Sequence, residues 1–412
     1  MSNFNEHAAT WAQDTQAVRG GLDRSNFQET SEALFLNSGF VYESAEHAEQ
    51  AFTGEVDRFV YSRYGNPSVA TFQERLRLLE GKEACFATAS GMSAVFTALG
   101  ALLAAGDRVV ASRSLFGSCF VILNELLPRW GVETVFVDGS DLEQWRTALS
   151  VPTTAVFFES PSNPMQEIID VQAVCDLAHA AGAKVVADNV FATPLLQRCG
   201  DFGADIVVYS GTKHIDGQGR VLGGAILGTK EFIDGPVKNL MRHTGPALSA
   251  FNAWVLTKGL ETMNLRVSHS CRNALALGEF LEAQPQVTRV LYPHLPSHPQ
   301  YELAKKQMKA GGTVLTFELA EPASGTRKEA AFALLNALAI IDISNNLGDA
   351  KSLITHPATT THRAMGPEGR AAIGLSDGFL RLSVGLEDVD DLKKDLTAAL
   401  AAISSTGLNL RA

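Results

Sequence analysis

From about residue 67 onward, the apolar positions follow two alternating periods. Val69, Phe72, Leu76 and Leu79 recur at helical spacing, with Ser68 placed to cap that helix and Gly81 to stop it. Strand-like runs follow at 107–112 (DRVVAS), 133–138 (ETVFVD), 153–159 (TTAVFFE), 184–188 (KVVAD) and 205–209 (DIVVY), separated by helix-length segments such as 170–182. Short β-rich runs between helices predict βαβ units and a mostly parallel sheet covered on both faces. Ligands are then expected at the carboxyl ends of the strands. An uninterrupted helical pattern over 247–284 is long enough to link two domains. The β-rich runs 287–293, 313–319 and 379–386 predict a smaller α/β domain beyond it. Residues 1–66 are polar and aperiodic and close on the turn-forming SRYGNPS, which predicts an arm rather than a core. The chain shows neither an internal repeat nor a low-complexity segment.

Composition adds a constraint. Only 19% of the 412 residues are charged, against roughly 25% in an ordinary soluble domain. Either the interior is large or other copies of the chain cover part of the surface. The net charge of −11 disfavours phosphate backbones and anionic membranes as main partners. Five widely spaced cysteines (85, 119, 175, 199, 271) without a CxxC pair signal neither a disulfide framework nor a zinc site. Residues 1–16 lack an apolar signal segment, and the most apolar stretch, 95–106, is too short to span a bilayer. A soluble, cytoplasmic protein is expected. Histidines 214, 269, 356 and 362 lack the spacing of a helical metal pair, so no metal site is expected. GxGxxG and Walker motifs are missing, which removes the best support for nicotinamide or nucleotide chemistry, and no GxSxG elbow between a strand and a helix supports a serine hydrolase.

Several residues carry candidate chemistry. Asp188 ends the strand KVVAD, and Lys213 follows the strand ADIVVYS beside Ser210, Gly211 and Thr212. In a parallel sheet both reach the ligand edge, where a partly buried lysine can form a Schiff base. An exposed loop lysine and a helix-capping aspartate would read the same way. The stretch ATASGMSAVFTAL places Ser90, Gly91, Met92 and Ser93 at the start of an apolar helix, an anion site if the amides are free. Asn163, between Pro161 and Pro164, offers a rigid amide or belongs to a simple turn. Arg381 lies on the strand face opposite Leu382 and Val384, free to grip a carboxylate or to face solvent.

Taken in order, YSRYGNPS, ATASGMSAV, ESPSNP, KVVADNVFATP, VVYSGTKHIDGQG, SLITHPATTTH and RLSVGLE resemble the cystathionine γ-synthase-like family of pyridoxal-phosphate enzymes of cysteine and methionine metabolism, over nearly the whole chain. The resemblance implies the α/β aspartate-aminotransferase-type fold (fold type I). It divides the chain into an arm contacting a neighbouring subunit (1–66), a cofactor domain (67–265) and a C-terminal domain (266–412), in a homotetramer built as a dimer of dimers. It implies pyridoxal 5'-phosphate linked to Lys213, with Asp188 on the pyridine nitrogen. Ser210, Thr212 and the backbone of Gly91 and Met92 would hold the phosphate, and Tyr61 and Arg63 would complete that cradle from the adjacent subunit. Asn163 and Arg381 match the family's substrate-carboxylate contacts, and Tyr61 lies near the substrate.

Two departures narrow the subtype. Most of the family has Tyr-Gly-Gly where this chain reads Ser-Leu-Phe-Gly-Ser, so Phe116 is expected to stack on the cofactor without a hydroxyl for proton transfer. Residues 346–353 read NLGDAKSL where γ-synthases typically read SLGGxESL, a version similar to the sulfhydrylase branch. The expected reaction is γ-replacement of succinate in O-succinyl-L-homoserine by sulfide, giving L-homocysteine for methionine biosynthesis. Cystathionine γ-synthase or γ-lyase activity, an acetyl donor, and a non-catalytic cofactor-binding role remain as alternatives. Arg113, Lys351 and Arg58 are unranked candidates to read the distal succinyl carboxylate.

Overall fold

The five apolar runs expected to build a parallel sheet do so in the computed structural model, which describes residues 4–322 and 324–405. They are β2 (Arg108–Ser112), β3 (Glu133–Val137), β4 (Ala155–Glu159), β5 (Lys184–Asp188) and β6 (Ile206–Ser210). Two strands join them, β1 (Ala84–Thr88) and β7 (Gly224–Gly228), in the order β1-β7-β6-β5-β4-β2-β3. Only β7 pairs antiparallel with its neighbours β1 and β6. Every residue of β2, β4 and β7 is buried, because helices cover both faces and apolar side chains are needed on each.

A second sheet holds β8 (Val287–Leu291), β9 (Val314–Leu319), β10 (Asp342–Ile343), β11 (Leu353–Thr355) and β12 (Phe379–Ser383), in the order β10-β11-β12-β9-β8. All its pairings are antiparallel except β10 with β11. Leu315, Phe317, Leu380 and Leu382 form its core with Leu334 and Leu396 from the covering helices. No helix among the described residues is long and apolar enough to cross a membrane.

Three sequence expectations need correction. The helix Pro67–Glu80 is capped by Asn66, whose side chain accepts from the Ser68 N–H at 2.9 Å. Pro67 takes the first helical position, where its missing N–H costs nothing, and Ser68 Oγ instead accepts from the Phe35 N–H at 2.9 Å. The 247–284 pattern is two helices, Ala250–Glu261 and Met263–Glu282, parted where Thr262 leaves helical geometry at φ −111°, ψ 5°. Apolar spacing resumes past the break and so conceals it. Arg266 bridges this break, donating to the carbonyls of Gly259 at 2.7 Å and His214 at 2.9 Å, which ties it to the loop that carries Lys213. Lastly, the N-terminal segment is not wholly an arm. The helix Gln13–Arg19 buries Ala17 in the core that contains Phe72 and Leu76, because its apolar face meets the helix Pro67–Glu80. Glu32 is anchored by Arg75 at 2.5 Å and by Lys258. Beyond these anchors Phe27, Leu36 and Val41 stand 92%, 72% and 90% exposed.

Candidate active site

Parallel pairing brings chemistry to one edge. β4, β5 and β6 are consecutive neighbours, and Glu159 pairs with Asp188 in register, so Glu159, Asp188 and Ser210 end their strands side by side. Above this edge lies a cavity of about 260 Å³. Lys213, Asp188, Ser210 and Thr212 line it from the large sheet, Gly91 and Met92 from a helix start, and Phe116 and Asn163 from the loops after β2 and β4. Arg381 enters from β12 of the other sheet.

The helix start is the segment read as an anion site. Ser90 caps the helix Gly91–Leu102, its Oγ accepting from the Ser93 N–H at 3.1 Å. A side chain at 91 would place its Cβ 2.6 Å from Ser210 Cβ, so only glycine lets the helix begin against the end of β6. The first amides of such a helix have no intrahelical acceptor, and the dipole adds partial positive charge there.

Lys213 Nζ donates to Asn346 Oδ1 at 2.6 Å. Burial, reinforced by the nearby Arg381 charge, pulls the amine down to about 8, so a sizeable neutral fraction exists near physiological pH. Asp188 accepts the Val190 N–H at 3.1 Å, and burial pushes its carboxyl up to about 7. Glu159 accepts the Phe116 N–H at 2.7 Å; burial first, then the charge of Asp188, pushes it well above the usual carboxylate range.

Arg381 is only 2% exposed. One end of its guanidinium donates to Asn163 Oδ1 at 3.1 Å, the other to the carbonyls of Asn345 at 2.8 Å and Asn346 at 3.2 Å. Its Nε is buried without a partner, which leaves the cation able to accept an anionic ligand. His362 supports this grip from behind, its Nε2 donating to the Asn163 carbonyl at 2.9 Å. Burial pulls that imidazole down to about 4, so it acts as a neutral strut.

The remaining sequence candidates lie elsewhere. Tyr61 and Arg63 do not line the cavity formed within one chain; Arg63 stacks over the rings of Tyr61 (5.4 Å) and Tyr64 (4.7 Å) and donates to the Arg242 carbonyl. Arg58 lies 4.7 Å over the Tyr42 ring, Arg113 donates to Gln144 Oε1 at 3.3 Å, and Lys351 faces Asp349 at 3.5 Å; none lines the cavity. Cys119 Sγ lies within 4.8 Å of the Glu159 and Asp188 carboxylates, but burial keeps it a protonated thiol, a poor metal ligand. Sequence reasoning missed the contributions of Glu159, Cys119, Asn345 and Thr361 to the cavity. Glu159 alone had a signal, a strand-terminal carboxylate beside Asp188.

The geometry has counterparts among known proteins. The family model described as Cys/Met metabolism PLP-dependent enzyme matches residues 14–401. The chain is 69% identical over 390 residues to the O-succinylhomoserine sulfhydrylase of Mycobacterium tuberculosis, covering 95% of this chain and 96% of that one. It is 46% identical over 390 residues to the O-succinylhomoserine sulfhydrylase of Pseudomonas aeruginosa, covering 95% of each chain. The crystal structure of cystathionine gamma synthase from Xanthomonas oryzae pv. oryzae, in complex with aminoacrylate and cysteine, matches with a TM-score of 0.90 and 34% identity over 96% of this chain and 99% of that one.

Proposed function

Because the chain belongs to the Cys/Met metabolism PLP-dependent enzyme family, we propose that it replaces the succinate of O-succinyl-L-homoserine by sulfide, releasing L-homocysteine. The observation that carries the choice of substrates is the 69% identity over 95% of the chain to an O-succinylhomoserine sulfhydrylase. Pyridoxal 5'-phosphate fits the cavity on three counts. Asp188 is a carboxylate with no cation beside it among the described residues, suited to a protonated ring nitrogen; the glycine-only helix start at Gly91 leaves room for a phosphate; and Lys213 is an amine held partly neutral. Bound there, the cofactor supplies an aldehyde and a ring that accepts electrons when a bond at the substrate Cα breaks.

In this reading Lys213 carries the cofactor and, once displaced by the substrate amine, moves protons at Cα and the adjacent carbon. Ser210, Thr212 and the amides of Gly91 and Met92 hold the phosphate. Arg381 and Asn163 fix the substrate α-carboxylate, which the unpartnered Nε of Arg381 supports. Phe116 stacks on the ring and, having no hydroxyl, transfers no proton. Succinate needs none, since it leaves as a stable carboxylate.

The proposed assembly is a homotetramer, with Tyr61 and Arg63 completing the phosphate site of the adjacent subunit. The apolar exposure of Phe27, Leu36 and Val41 supports association through that segment. The proposed units are the N-terminal segment (1–66), part of which packs on the cofactor domain, the cofactor domain (67–265) and the C-terminal domain (266–412), of which residues 1–3, 323 and 406–412 lie outside the described residues. Cytoplasmic action is the setting that five buried, unpaired cysteines favour.

The test offers succinyl- and acetylhomoserine to the purified enzyme, each with sulfide and with cysteine, and identifies products by mass spectrometry. Homocysteine forming fastest from the succinyl ester is expected. Cystathionine forming faster than homocysteine would overturn the assignment.

A further inference from the structure

Glu159 is a buried carboxylic acid for which the chemistry above has no use. It is 5% exposed, and its carboxylate lies within 4.8 Å of that of Asp188, its partner in register on the neighbouring strand. Among the described residues, no lysine, arginine or histidine comes within ion-pairing distance of either carboxylate. The two cations of the cavity are engaged elsewhere, Lys213 with Asn346 and Arg381 with Asn163 and the backbone of Asn345 and Asn346. The third group of the cluster, Cys119, is a neutral thiol and compensates no charge. Two carboxylates this close and out of water, with no cationic side chain beside them and at most one cation, the ring nitrogen, supplied by the cofactor, do not both ionise; the pair holds a proton between them.

Burial, and the ring nitrogen that Asp188 is read to serve, decide where that proton rests. Asp188 is the less buried of the two, and its one hydrogen bond comes from the Val190 amide. Glu159 is the more buried; it accepts the amide of Phe116 at 2.7 Å, and the Asn163 amide and the Cys119 thiol also favour its ionised form, against the cost of burial. A protonated carboxyl makes this contact without loss, since its carbonyl oxygen still accepts while the other oxygen carries the hydrogen.

We propose that Glu159 is a positioning residue that holds the proton of the pair, so that the negative charge rests on Asp188 and the neutral Glu159 carboxyl pins the backbone of Phe116 at the cavity wall. The inference rests on Asp188 serving the ring nitrogen of the cofactor.

Infrared spectra of the wild-type holoenzyme near neutral pH should contain a protonated-carboxyl stretch that shifts in deuterium oxide and is missing from Glu159→Gln. Identical spectra for the two proteins overturn the proposal. Glu159→Ala strips the Phe116 amide of its acceptor and should weaken binding of pyridoxal 5'-phosphate to the apoenzyme about tenfold. Glu159→Gln, whose amide carbonyl accepts the same N–H, should restore it to within about threefold of wild type. Glu159→Gln losing as much affinity as Glu159→Ala also overturns the proposal, because it would mean that the ionised form is required. Asp188→Asn separates this idea from the reading beneath it. Cofactor affinity unchanged in Asp188→Asn removes the ring-nitrogen role, while the infrared comparison still judges Glu159 alone.

Discussion

In the large sheet three neighbouring parallel strands end together, so Glu159, Asp188 and Ser210 reach the cavity side by side without any one contact placing them. The small sheet is antiparallel around β12, has no common edge of strand ends, and sends one side chain, Arg381, from within that strand. The first arrangement follows from topology, which sets the three strand ends together whatever side chains they carry. The second depends on a single buried cation held at both ends by hydrogen bonds, and its loss leaves partners on two segments unsatisfied. The cofactor half of the proposed site is therefore a property of the fold, and the substrate half a property of one residue and its clamp.

The largest expected effect breaks the large-sheet half. Lys213→Ala should lower kcat/KM for homocysteine formation by about 10³-fold or more while the fold persists, measured by turnover alongside circular dichroism. Breaking the small-sheet half comes next. Arg381→Lys keeps the charge but not the fork, so kcat/KM should fall about 10²-fold, mainly through KM, with the visible absorption of the bound cofactor unchanged. A shift in that absorption would mean that the halves are not separable.

Where the halves meet, the contrast can be sharpened. Asn346 belongs to the loop between β10 and β11 yet accepts the Lys213 amine at 2.6 Å. Asn346→Ala should lower kcat about tenfold with little change in KM, in steady-state kinetics. The smallest effect is electrical. The apoenzyme should capture pyridoxal 5'-phosphate faster as pH rises through about 8, since the neutral Lys213 amine is the reactive form. The Arg381 charge contributes to that lowered value, so Arg381→Gln should move the midpoint upward in stopped-flow measurements.

The same contrast governs how much the sequence reveals. Apolar runs between helices announce the parallel strands, and strand-terminal Asp188 and the nearby Lys213 follow from that pattern. β1 (ACFAT) and β7 (GAILG) escape notice because small residues weaken the strand signal. The break at Thr262 is invisible because apolar spacing resumes after it. Asn66 is overlooked as a cap because Pro67 beside it resembles a turn. Arg381 is readable as a candidate, but its burial and its clamp to Asn163, Asn345 and Asn346 depend on two sheets meeting, which no local pattern encodes. Glu159 falls between these cases, since its position is legible and its contact with Phe116 is not.

Lys213 is the proposed attachment point, at which a cofactor held by one sheet would meet a substrate gripped from the other. Borohydride reduction of the native holoenzyme, followed by proteolysis and peptide mass spectrometry, tests this most directly. A phosphopyridoxyl group is expected on the peptide containing Lys213 and on no other. Modification of a different lysine, or none despite bound cofactor, would contradict it.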